Sequence, residues 1–308
     1  MNNPAENSQR IKQKAIELGF LDCGITRAEY LAEDAPRLKG WLSNGFHGQM
    51  EYMQNHFEKR VDPRQLVEGA RSIIIVQQNY HSAKEQLDPE APLISKYAYG
   101  KDYHKIVRKK LKSLFSWMQE EIGPVQGRIF VDSAPVMERA WAAKAGLGWI
   151  GKHSLLLNRT NGSWFFLGVI ICDLELKADS PINEYCGDCS RCIDACPTDA
   201  ILRNRTLNAS RCISYLTIES KSDTISNEFI DKMNNRVFGC DICQDVCPWN
   251  KNAHPHQEEW LKPRPGLLEM TREEWMNLDE QRFNDIFEGS AVKRAKFSGL
   301  CRNLDSLS

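Results

Sequence analysis

Apolar residues recur along this chain at two spacings. In "SQRIKQKAIELGF" (8–20), Ile11, Ala15 and Leu18 return every three or four positions, which predicts one buried face of a helix. Ser8 suits its N-cap and Gly19 its end. The same period is clearest in "DYHKIVRKKLKSLFSWMQEEIGP", where Val107, Leu111, Leu114, Phe115, Met118 and Ile122 form the stripe. Asp102 caps this helix and Gly123-Pro124 stops it. Its other face, with Lys105, Arg108, Lys109 and Lys112, reads as solvated. Unbroken apolar runs predict buried strands. "RSIIIVQQNY" (71–80) is one. "GRIFVDSAPVMERAWAAKAGLG" predicts a strand to about Val131, a turn, and a helix with Pro135 in its first turn. "SLLLN" and "SWFFLGVIICDLEL" predict a hairpin turning at 159–162. After residue 181 the texture shifts to Cys, Pro and Asp, and the polar tail from 251 holds one predicted helix around 271–287.

Composition adds limits. The chain has 308 residues, 42% hydrophobic and 26% charged, with a formal net charge of −1. That length allows two modest domains, and the charge gives no global field for nucleic acid. The longest apolar run, "WFFLGVIIC" (164–172), is far short of the ~20 residues that span a bilayer, and "MNNPAENSQR" has no apolar signal segment. A cytoplasmic protein without a membrane partner is expected.

Cysteine changes the picture. Eight of the eleven cysteines lie between 186 and 247, and clustered cysteines in a chain of this kind point to metal. "CGDCSRCIDACP" is C-x2-C-x2-C-x3-C-P, the bacterial ferredoxin run, whose fourth cysteine serves a second cluster. "CDICQDVCP" supplies the rest, with Cys212 upstream. Two [4Fe–4S] clusters need eight thiolates. Cys186, Cys189, Cys192 and Cys247 are assigned to one, and Cys196, Cys212, Cys240 and Cys243 to the other. Zinc sites favour paired C-x2-C knuckles instead. Two neighbouring clusters suggest a wire, whose terminus belongs in the N-terminal domain.

"GLGWIGKHS" (146–154) contains G-x-G-x-x-G, but a helix precedes it and a strand follows, the reverse of a dinucleotide site. His153 stands where a P-loop needs Ser or Thr. Its glycines either let the backbone approach a bulky ligand or serve a tight turn. Asp132, at a strand end, is either a helix N-cap or, partly desolvated beside a cofactor, a proton donor near neutral pH.

"RVDPR" (60–64), "YAYGKDYH" (97–104), "VDSAPVMERAWAAKAGLGWIGKHS" (131–154), both cysteine runs and "GSAVKRAKFSGLCRN" (289–303) together resemble the epoxyqueuosine reductases, over nearly the whole chain. That family is similar to the reductive dehalogenases in joining a cobalamin domain to two [4Fe–4S] clusters. The resemblance implies reduction of epoxyqueuosine to queuosine at the tRNA wobble position, with the clusters feeding cobalamin. It implies an α/β (α+β) cobalamin-binding and catalytic domain over 1–178, a ferredoxin-like domain over 179–255, and a tail over 256–308 packing on the N-terminal domain. Asp132 matches the family's proton donor. Arg60, Tyr99, Ser133, Ala134, Gly148, Gly151, Lys152, His153 and Gly168 are implied cobalamin contacts. The D-x-H-x-x-G histidine motif is broken, because Val107 replaces its glycine after Asp102 and His104, so base-off cobalamin without a protein histidine is expected. An external low-potential donor and a monomer are also expected. Longer members carry a C-terminal helical-repeat extension that grips tRNA. Here tRNA contacts fall to Lys293, Arg294, Lys296, the face near Lys109, Tyr215 and Lys221. The competing readings are a ferredoxin-type electron-transfer module, another dehalogenase-like cobalamin reductase, and a nucleic-acid-binding protein with structural clusters.

Overall fold

The computed structural model describes residues 3–307. Its strands in chain order are β1 (Asp22–Arg27), β2 (Ser72–Asn79), β3 (Leu93–Ile94), β4 (Gly127–Phe130), β5 (Trp149–Ile150), β6 (Leu156–Leu157), β7 (Phe165–Cys172) and β8 (Arg236–Phe238). β1, β2, β7 and β4 form an antiparallel sheet in that order. Helices α1 (Pro4–Glu17), α2 (Asp34–Ser43), α3 (Phe57–Val61), α4 (Tyr103–Glu121) and α5 (Glu138–Lys144) cover it. Ile74 and Val76 of β2 pack with α1 and α4, while Ile73 and Ile75 pack with α2, α3 and α5. A strand covered on both faces reads as a continuous apolar run, which is why 71–80 shows no alternation.

Helix α4 starts where predicted, with Asp102 Oδ1 accepting from the His104 N–H at 3.0 Å. Helix α1 starts earlier than its apolar stripe suggests. Asn3 Oδ1 accepts from the N–H groups of Ala5 and Glu6 at 3.1 and 3.4 Å, and Pro4 at the first helical position has no N–H to satisfy. Ser8 therefore lies a turn inside, its Oγ donating to the Pro4 carbonyl at 2.7 Å. Helix α5 also begins later than expected, at Glu138, because Pro135 sits in a loop closed by Val136 N–H donating to Ala134 O at 2.7 Å.

The predicted hairpin is rearranged. Both edges of β7 are taken by β2 and β4, so β6 pairs with β5 instead. Residues 158–162 still turn, closed by reciprocal Asn158 and Gly162 backbone bonds. The 146–154 segment thus runs from the end of α5, where Gly146 has φ +73, into the β5–β6 hairpin. A Cβ on Gly148 would lie 2.1 Å from the Leu157 carbonyl oxygen. Gly148→Ala should cost about 1–3 kcal/mol by overpacking. Gly40→Ala in α2, with open space around it, should be neutral or stabilising, as a helical glycine costs up to ~1 kcal/mol. Thermal melts check both, and equal melting temperatures would contradict the steric reading.

The cysteine region adds α6 (Arg191–Asp194), α7 (Ile213–Ile218), α8 (Asn227–Ile230) and α9 (Ile242–Asp245). It is fastened to the sheet by a buried polar network. Asn250 Oδ1 accepts from Ser163 N–H at 2.6 Å, and Gln244 Nε2 donates to Ser163 O and to Tyr80 Oη, each at 3.2 Å. Such a fully paired network fixes one arrangement of the two parts.

The tail holds α10 (Arg272–Met276), α11 (Glu280–Ile286) and α12 (Lys296–Asp305). Two helices replace the one predicted over 271–287, because Asp279 caps the second by accepting from Arg282 N–H at 2.7 Å. Trp275, Phe283, Phe287 and Leu300 pack with Ile94, Ala98 and Tyr99 and with Val237 and Phe238. Among the described residues no helix is long and apolar enough to cross a membrane.

Candidate active site

Asp132 lies just past β4, in the loop before α5, with φ +45. That backbone region is uncommon for a residue with a side chain, though Asp tolerates it. Its N–H donates to Glu138 Oε1 at 2.7 Å, but Met137 holds the N-cap position of α5, so Asp132 is not its cap. The side chain remains 62% exposed. Tyr103 Oη donates to Asp132 Oδ2 at 2.5 Å, and Tyr103 is held by stacking on Phe166 of β7 at 3.9 Å between ring centres. His104 Nε2 stands 3.8 Å from the same oxygen, and its Nδ1 lies 2.7 Å from Asp102 Oδ1. Helix α4 thus delivers Tyr103 and His104 from its first turn to the end of the sheet. Burial, then the Asp132 charge, pushes the Tyr103 phenol far up, so it serves Asp132 as a neutral donor.

Two further groups line this place. Arg139 is exposed and donates to the Ser154 carbonyl. Glu138 is pushed above the ordinary carboxylate range, first by burial and then by the Asp132 charge. Arg294, whose guanidinium also feels the Asp132 charge, donates to Glu219 at 3.0 Å. Burial pushes the nearby Tyr52 phenol up to about 12, with Glu219, Arg294 and Asp132 also acting on it.

Glu138 carries a pH prediction. A carboxyl raised in the folded state contributes stability below its unfolded value and loses it as pH rises through the folded one. Glu138→Gln keeps an acceptor for the Asp132 N–H. It should raise the melting temperature at about pH 8 and change it little at about pH 4. A difference independent of pH would contradict the assignment.

The residues implied as cobalamin contacts do not all converge. Ser133 and Ala134 flank Asp132, and Ser133 is exposed. Arg60 is buried, with Nη2 donating to Tyr52 O at 2.9 Å and Nε without a partner among the described residues. Tyr99 lies in the tail's core. Gly168 sits beneath α4, where a Cβ would meet Leu111 and Val107 at 2.8 Å. Gly148 and Gly151 close on Leu157 within the hairpin. Lys152 Nζ donates to Gly187 O at 2.7 Å and Cys189 O at 2.8 Å, so it reaches the cysteine region. His153 is buried beside it. Tyr215, expected at the RNA surface, is also buried, its hydroxyl accepting from Gln49 N–H at 2.8 Å.

Cys186, Cys189, Cys192 and Cys247, the set that the spacing assigns to one cluster, line one opening with Lys152, His153 and Trp249. Burial raises the Cys192 thiol to about 11, and Cys247 and Cys186 add to it. Burial likewise raises Cys240 to about 12, with Cys212 adding to it. It raises Cys212, with Cys196 adding to it, and raises Cys243, with Cys240 and Cys212 adding to it. Cys192, of the other set, adds to Cys243 as well. Buried thiols that oppose one another's ionisation bind as thiolates only with a compensating cationic core, which an iron–sulfur cluster supplies.

Residues 60–133 match the family described as epoxyqueuosine reductase QueG, DUF1730, and residues 185–250 match a 4Fe-4S double cluster binding domain. An epoxyqueuosine reductase from Cellulophaga algicola is 52% identical over 307 residues, 100% of each chain. This chain belongs to the epoxyqueuosine reductase family. Another family member, from Leadbetterella byssophila, is 56% identical over 96% of this chain and 97% of its own. The chain is therefore that of an oxidoreductase with a 4Fe–4S double-cluster domain. A solved epoxyqueuosine reductase holding an epoxyqueuosine-modified tRNA-Tyr stem loop has TM-score 0.91 and 29% identity, over 99% of this chain and 81% of that one. One from Bacillus subtilis, at TM-score 0.90 and 28% identity over 99% and 82%, has an aspartate-bearing catalytic loop swung out of the active site. A reductive dehalogenase described as B12-dependent shares the fold at TM-score 0.52 and 17% identity, over 99% of this chain and 38% of that one.

The sequence analysis passed over Tyr103, Glu138 and Arg139, and weighed His104 only as a cobalt ligand. A helix cap at Asp102 puts the next two side chains at the sheet's end, which was a usable signal.

Proposed function

We propose that this chain reduces epoxyqueuosine to queuosine in tRNA, with cobalamin beside Asp132, electrons from the two clusters, and Asp132 as proton donor. One observation carries the reading: an accessible carboxylate, backed by Tyr103 and His104, in a chain of this family that also carries two sets of cluster cysteines. The aspartate-bearing catalytic loop of the Bacillus subtilis structure supports the same role for the Asp132 loop.

Bound cobalamin would supply low-potential electrons to the epoxide-bearing ring. Ser133 and Ala134, which flank Asp132, would help to hold it. The unpaired Nε of Arg60 is a further donor near Tyr52. Net, two electrons and two protons convert the epoxide to a carbon–carbon double bond and water. Both C–O bonds break, so the departing oxygen needs protons. Asp132 delivers one, and Tyr103 Oη, hydrogen-bonded to Oδ2, keeps the carboxyl aimed. The Asp102–His104 pair stands behind it to return the proton.

The anticodon arm would enter past Tyr52 and Arg294. Lys293 and Lys296 lie at the start of α12 and just before it, and Lys221 is exposed nearby in sequence to Glu219. These few cations predict recognition local to the anticodon. An isolated stem loop should bind nearly as well as whole tRNA, with a shallow salt dependence. A large loss of affinity on trimming to the stem loop would contradict this.

Activity itself is tested by incubating a stem loop carrying epoxyqueuosine with reconstituted protein and a low-potential reductant. Nucleoside analysis should show queuosine only when cobalamin is present. Conversion without cobalamin would overturn the cofactor assignment.

A further inference from the structure

The loop 146–154 has a second occupation that its sequence did not announce. His153 is 4% exposed and lines the opening formed by Cys186, Cys189, Cys192 and Cys247. Its Nδ1 accepts from the Leu155 N–H at 3.2 Å. A neutral imidazole that accepts at one nitrogen carries its proton on the other, so Nε2 is a buried donor. It has no partner among the described residues. A buried donor without a partner costs about 1–3 kcal/mol, so its natural complement is an acceptor that fills this opening. Trp149, on the same hairpin, points Nε1–H at Cys186 Sγ across 3.4 Å. Lys152 bridges the carbonyls of Gly187 and Cys189, at 2.7 and 2.8 Å, and brings its charge between two of the ligands.

We infer that His153 and Trp149 donate hydrogen bonds to sulfur atoms of the cluster held by Cys186, Cys189, Cys192 and Cys247, and with Lys152 raise its reduction potential. Donors and positive charge stabilise the reduced, more negative cluster.

The inference rests on the reading that the opening holds a [4Fe–4S] cluster. The test is an EPR-monitored redox titration of the anaerobically reconstituted full chain, with iron and sulfide measured on the same samples. Trp149→Phe and His153→Leu should each keep both clusters and move one midpoint potential to a more negative value, leaving the other in place. His153→Gln restores an N–H donor and should recover part of the shift. If His153→Leu fails to retain iron, Trp149→Phe and His153→Gln decide. Full iron with both potentials unchanged in Trp149→Phe and His153→Leu overturns the inference alone. Wild-type protein that takes up no cluster overturns the underlying reading.

Discussion

Asp132→Asn should lower turnover by about 10²–10⁴-fold, the range for loss of a positioned proton donor, while cluster content and cobalamin binding stay unchanged. Asparagine suits the test. It tolerates positive φ nearly as well as aspartate, so the loop at φ +45 need not move. Its amide oxygen can still accept from Tyr103 Oη, now 2.5 Å from Oδ2. What it cannot do is give up a proton to the departing oxygen. The effect should fall on kcat rather than on binding of the stem loop, since an interaction used only in the transition state lowers kcat and kcat/KM together. Near-normal turnover would remove Asp132 from the chemistry. Tyr103 and His104 would then be the groups to test.

The second large effect concerns the wiring. Cys247→Ala should abolish the cluster of Cys186, Cys189 and Cys192 and spare the other. Cys196→Ala should do the reverse. Cys196 follows Cys192 by only four positions, yet the ferredoxin-type spacing, with a proline after the fourth cysteine, assigns it to Cys212, Cys240 and Cys243. Either variant should lose about half of its iron and nearly all steady-state turnover, since the wire is broken at one of two points. EPR of the reduced proteins should show a single, uncoupled signal in each case, and the two signals should differ. Loss of both clusters from either variant would show that they assemble as one unit. Identical residual signals would overturn the partition.

The fold was legible wherever one periodicity ruled. Helix α4 could be drawn from its stripe and its Asp102 cap, and β2 from an apolar run that only a strand covered on both faces needs. The start of α1 was missed because Asn3 and Pro4 cap it outside the apolar stripe. The hairpin was misdrawn for a tertiary reason: β7 is saturated by β2 and β4, a fact no local pattern contains. The ligand partition comes from sequence spacing alone, and the two cysteine variants test it. The site around Asp132 was not legible. Asp132, Tyr103, His104, Glu138 and Arg139 come together from two helices and a loop, and only their packing shows it. "GLGWIGKHS" was read as a cofactor loop on resemblance. In the structure Gly148 and Gly151 shape a hairpin, and Trp149, Lys152 and His153 turn toward the cysteines.

Base-off cobalamin beside Asp132 is the centre of the proposed function, and one spectrum addresses it. The full chain is reconstituted anaerobically with iron and sulfide, loaded with cobalamin, and examined by EPR at the Co(II) level. The expected signal lacks nitrogen coupling from an axial base, because His104 is engaged with Asp102 at 2.7 Å and faces Asp132. It should accompany two [4Fe–4S] clusters per chain. A Co(II) signal split by an axial nitrogen, or no retained cobalamin at all, would contradict the assignment.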